Sequence, residues 1–101
     1  MEIYRVEKTD MMGFPITELF FTSLDKARTE YAKQLREYRN NENLVKDEDN
    51  NYLSNPIVEN KSPFNNFIKE HMIELWYRCS YEYDEWDTTV EHLKLEKIKV
   101  Y

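Results

Sequence analysis

A chain of 101 residues with 41% hydrophobic and 15% aromatic content is one domain able to bury a core, and a charged fraction of 34% that mixes both signs excludes global disorder. The net charge of −6 works against direct binding of nucleic acid, where clusters of Lys and Arg supply most of the affinity. A single glycine excludes glycine-rich phosphate loops, a single cysteine excludes an internal disulfide, and no apolar run is long enough to span a membrane or to act as a signal peptide.

Met1 to Lys8 is expected to form a strand, with Ile3, Tyr4 and Val6 as β-formers. Thr9 to Pro15 reads as an unusually apolar turn, because Met11, Met12 and Phe14 sit among Asp10, Gly13 and Pro15. These three side chains either tuck under the sheet or stay exposed together as a contact surface, one that could join a second copy. Ile16 to Phe21 is the partner strand. Thr22 or Ser23 then caps a helix running through Arg39, whose apolar stripe is Leu24, Ala27, Tyr31, Leu35 and Tyr38.

Residues 40–61 form a long acidic, Asn-rich loop with a short extended piece at Pro56-Ile57-Val58. Ser62-Pro63 looks like a helix start, and Phe64, Phe67, Ile68, His71 and Leu75 recur at helical spacing after it. From Trp76 onward the period shortens to two and a strand is expected, followed by a turn over Asp84 to Thr88. In the last strand, Thr89 to Tyr101, Leu93 and Leu95 point one way and Ile98 and Val100 the other, which predicts a bulge or bend near Glu96-Lys97. The order β-β-α-loop-α-β-β implies a single α+β domain over residues 1–101, a mostly antiparallel sheet packed by two helices.

The charge is unevenly placed. Residues 1–39 hold seven acids and seven bases, whereas residues 40–87 hold eleven acids against four bases. The densest stretch is Tyr81-Glu82-Tyr83-Asp84-Glu85-Trp86-Asp87, four carboxylates interleaved with three aromatics. One reading is a hairpin tip with Trp86 folded back on the core. The other is a protein-binding edge, where Trp and Tyr anchor a partner and carboxylates attract its Arg and Lys. Asp47, Glu48 and Asp49 form a second acidic patch.

Metal and catalytic patterns are weak. Asp47, Asp49 and Asn51 have the spacing that opens a calcium loop, but Tyr52 and Val58 stand where the motif needs Gly and Glu. His71, Cys79 and His92 are too scattered for a zinc site. Cys79 is expected as a small core residue and His71 as a partly buried histidine. Glu82 and Asp84 would share one strand face, a faint glycosidase-like hint. No metal, cofactor or enzymatic activity is expected.

These features favour a small acidic, cytoplasmic protein-binding module that takes a basic, nucleic-acid-binding protein as its partner, with no direct contact to nucleic acid or membrane. By size and charge alone it matches phage and mobile-element inhibitors, anti-CRISPR proteins among them, that block the basic groove of a host nuclease. The alternatives are an oligomeric small-ligand-binding or scavenging protein, using tyrosines with Arg28, Arg36 or Arg78, and a weak hydrolase acting through carboxylates or His71.

Overall fold

The computed structural model describes residues 2–45, 56–60 and 67–99. In chain order the elements are β1 (Glu2–Thr9), β2 (Pro15–Phe21), α1 (Leu24–Arg39), β3 (Ile57–Glu59), β4 (Phe67–Ser80) and β5 (Glu85–Lys99). The five strands form one antiparallel sheet in the order β2-β1-β5-β4-β3, with the long β5 at its centre. The α+β class holds, with one helix rather than two among the described residues.

The first hairpin follows from its turn chemistry. The Asp10 carboxylate accepts hydrogen bonds from the backbone N–H of Met12 and Phe14, both at 2.9 Å, and Gly13 N–H closes onto the Asp10 carbonyl at 3.0 Å. Gly13 has φ +89°, a conformation that disfavours any Cβ, although the space around it is empty. Gly13→Ala therefore introduces backbone strain and no clash. It should cost about 1 kcal/mol, seen in thermal melts as a midpoint lowered by roughly 4–8 °C.

Helix α1 starts where Ser23 Oγ accepts from Lys26 N–H, and it buries the expected stripe of Ala27, Tyr31, Leu35 and Tyr38. These pack on Val6, Ile73, Leu75, Leu93 and Leu95 from three neighbouring strands, which together make the core. The opposite face of the sheet carries no helix among the described residues. It is laced with charge instead: Arg5 bonds Glu96 and lies near Glu7 and Glu18, and His92 Nδ1 lies 3.1 Å from Glu70. Burial opposes the Arg5 charge, but the surrounding carboxylates, Glu96 foremost, hold it more firmly protonated than usual.

Three sequence expectations are corrected here. The helix anticipated at Phe67, Ile68, His71 and Leu75 is strand β4. Helical spacing leaves out Ile73, which is fully buried; the alternation His71, Ile73, Leu75 accounts for the inward face. The start of that expected helix, at Ser62 to Phe64, lies outside the described residues. No bulge interrupts β5, which pairs with β1 in unbroken register from Glu2↔Lys99 to Thr9↔His92. Ile98 simply occupies the helix-free face opposite Ile3, and the irregularity falls across the ladder at Phe67/Lys69 of β4. The last turn lies earlier than expected, over Tyr81–Asp84, and β5 begins at Glu85.

Two core tyrosines make the fold sensitive to alkali. Burial raises the Tyr31 phenol well above its ordinary 10.0, aided by the charges of Glu59 and Glu70; burial and the hydrogen bond to Glu91 do the same for Tyr38. In the folded state both keep their protons past the pH at which the unfolded chain releases them. Stability should therefore be full below pH 10 and fall above it, by about 1.4 kcal/mol per pH unit per group. A titration of tyrosinate absorbance should show two of the eight tyrosines ionising only as the fold melts.

Candidate functional site

Strands β4 and β5 outrun the rest of the sheet. β3 pairs with β4 only at residues 71–73, Leu44 bridges Leu75, and β1 reaches β5 only from His92 onward. Trp76 N–H still donates to the Asn43 carbonyl at 2.7 Å; past it, among the described residues, the two strands continue without a third from Tyr77↔Asp87 to Ser80↔Glu85. This two-stranded arm explains the elongated shape. The molecule measures 51 × 27 × 22 Å, and its radius of gyration of 15.1 Å exceeds the ~13 Å of a compact chain of this length.

The arm carries the whole acidic-aromatic stretch. Tyr81 and Tyr83 in the turn are 78% and 71% exposed, and Tyr77 and Trp86 below them are also exposed. Trp86 does not fold back onto the core. It sits opposite Arg78, whose guanidinium lies 4.7 Å from the Tyr81 ring centre and 6.0 Å from that of Trp86.

Asp84 holds this tip together. It adopts φ 51°, and one carboxylate oxygen pairs with the Arg78 guanidinium at 3.0 Å and accepts from the Trp86 indole N–H at 3.2 Å. Ser80 Oγ accepts from Tyr83 N–H at 3.2 Å. Asp84 thus works as an internal clamp, neutralised by Arg78, and it does not share a strand face with Glu82. Glu82, Glu85 and Asp87 make no ion pair among the described residues and project into water. The arm therefore presents three uncompensated carboxylates around four aromatic rings.

Cys79 is exposed on this arm, at the irregular step between Arg78 and Ser80, and its thiol approaches the Glu85 carbonyl at 3.4 Å. The expectation of a core cysteine is overturned, because the core ends at Leu75. The second acidic patch, Asp47, Glu48 and Asp49, lies outside the described residues, as does the calcium-like spacing that runs to Asn51.

The remaining soft ligands are kept apart by the sheet. His71 is buried under α1, with Nδ1 2.6 Å from the Tyr31 hydroxyl, while His92 faces the other side with Glu70. Among the described residues no group of three His, Cys, Asp or Glu side chains could hold a metal ion. A hollow of about 450 Å³ lies between α1 and the start of β4, lined by Arg28, Tyr31, Leu35, Glu59, Lys69 and Leu95. Among the described residues no helix is long and apolar enough to cross a membrane.

Sequence reasoning found the stretch but missed its internal clamp. Nothing in the order of residues places Arg78 between Tyr81 and Trp86; that depends on the register of β4 against β5. Comparisons with protein-family models, with curated proteins and with solved structures find no match.

Proposed function

We propose that this chain is a small protein-binding module whose β4–β5 arm docks on a basic surface of another protein, of the kind that otherwise holds nucleic acid. One observation carries this reading: a hairpin arm, its tip tied by Asp84 to Arg78 and Trp86, extends beyond β3 and β1 with exposed aromatics and, among the described residues, unpaired carboxylates. A tip evolved only for stability has no need of four exposed rings. Tyr and Trp supply large contact area with few rotatable bonds, and carboxylates steer toward Arg and Lys. In such a groove the carboxylates stand in for phosphates and the rings for bases. An inhibitor of a nucleic-acid-processing enzyme, such as a phage or mobile-element protein of the anti-CRISPR kind, is the concrete form of this proposal.

The test is affinity capture from a bacterial lysate at low and high salt, with mass spectrometry of the bound fraction. Recovery of one basic nucleic-acid-processing protein, released by salt and lost on charge reversal in the arm, supports the reading. A specific partner that binds equally well to the charge-reversed arm sinks it.

A second reading, a small-ligand-binding protein, is favoured by the hollow beside α1, where Arg28 and Lys69 flank Tyr31. Native mass spectrometry of the purified chain tests it, through retention of a small anion that is lost on Arg28→Ala.

A further inference from the structure

Strand β2 forms one edge of the sheet and, among the described residues, pairs only with β1. Among the described residues nothing pairs with its outward row of N–H and C=O groups, which can therefore take another strand. The side chains there are strongly apolar. Ile16, Leu19 and Phe20 are exposed on β2 itself, Phe20 at 58%, and Met11, Met12 and Phe14 are exposed on the adjoining turn, Met12 at 76% and Phe14 at 65%. Ile16, Leu19 and Phe20 lie along the edge itself, and the three turn residues extend the apolar surface past its end. Exposed edges are ordinarily blunted by Lys, Pro or a bulge. Here Pro15 and a register shift near Thr9 protect the start of β2, and within Thr17 to Phe21 the one such device is the charge of Glu18, which lies beside Arg5.

We infer that β2 is the contact through which two copies of this chain associate, edge to edge and antiparallel, giving one continuous ten-stranded sheet. Charge selects a second copy over a different partner. The patch from Met11 to Phe21 contains one charged residue, Glu18, which already lies 3.4 Å from Arg5. It offers a basic or acidic partner nothing to read. A chain of net charge −6 also resists self-association wherever its acids meet, and in this arrangement they do not. The arm-bearing β4 strands of the two copies are separated by seven strand spacings, roughly 34 Å, several times the ~8 Å Debye length. The twofold axis runs normal to the sheet, so residues of the same face oppose one another. Centring it on Leu19 keeps the two Glu18 carboxylates from facing each other and sets each against a Phe20. The two arms then point in opposite directions.

Sedimentation velocity across about 1–100 µM, a range that brackets a micromolar dissociation constant, tests the inference on the full chain. Wild type should move to twice the 12.4 kDa monomer mass. Leu19→Lys and Phe20→Lys, each checked for folding by circular dichroism, should stay at the monomer mass. A wild type that remains monomeric at the top of the range, or folded lysine variants that still dimerise, overturns it. If both variants fail to fold, hydrogen exchange of wild type at the two ends of the range decides. Gain of protection in β2 at high concentration supports the contact, and unchanged β2 exchange overturns it.

Discussion

Replacing Tyr31 by alanine is expected to destabilise the fold by about 3–5 kcal/mol, the range for truncating a buried aromatic. A domain of this size has roughly 5–15 kcal/mol in all, so the variant should lose a fifth or more of its stability margin. The ring fills the space between α1, β4 and β5, but its hydroxyl also matters. It lies 2.6 Å from His71 Nδ1 and 3.1 Å from the Leu93 carbonyl. A phenol has one proton, and a carbonyl can only accept. Both contacts are satisfied when Tyr31 donates to Leu93 and His71 donates its Nδ1–H to Tyr31. The buried phenol then has to stay protonated, in keeping with its raised pKa.

Tyr31→Phe separates the two contributions. It keeps the ring and leaves a ring N–H and a carbonyl without that partner, for an expected loss of about 1–3 kcal/mol. Denaturant unfolding followed by circular dichroism measures both variants. A phenylalanine variant as stable as wild type would mean that the buried hydroxyl network contributes nothing net. An alanine variant that loses no more than the phenylalanine variant would remove Tyr31 from the core.

The parts of this fold that were legible in the sequence are those fixed by local chemistry. Ser23 and the stripe from Ala27 to Tyr38 place α1 to within a residue, and Asp10 with Gly13 places the first hairpin. The misread part is β4, where the segment satisfies two periods at once. Phe67, Ile68, His71 and Leu75 obey helical spacing, while His71, Ile73 and Leu75 obey strand spacing. The strand wins because β5 supplies a pairing partner along nearly its whole length, a non-local contact that no window of sequence contains. The candidate site divides in the same way. Composition alone marks Tyr81 to Asp87 as acidic and aromatic, but the separate roles of Asp84 and its neighbours come from register. An extended run with Glu82 and Asp84 on one face is consistent with alternation as far as Tyr83; the turn at Tyr81 interrupts it.

That division changes how the arm has to be tested. Reversing Asp84 would release Arg78 and Trp86 and place a lysine at φ 51°, so lost binding would report a disordered tip as readily as a lost charge. Glu82→Lys with Glu85→Lys leaves the clamp intact and converts the outward charge of the tip. Toward a basic partner this pair should weaken binding on the order of 10- to 100-fold, chiefly through slower association, and flatten the dependence on salt. Tyr83→Ala, at an exposed ring outside the Asp84 clamp, acts on the other component. Loss of an aromatic anchor should cost about 2 kcal/mol or more through faster dissociation, with the salt dependence nearly unchanged. Surface plasmon resonance at two ionic strengths reads both rates. If the charge pair alters neither affinity nor salt slope while Tyr83→Ala abolishes binding, the arm is an aromatic anchor and the partner's surface is not basic. If both variants bind as wild type, the arm is not the interface, and its exposed rings need another explanation.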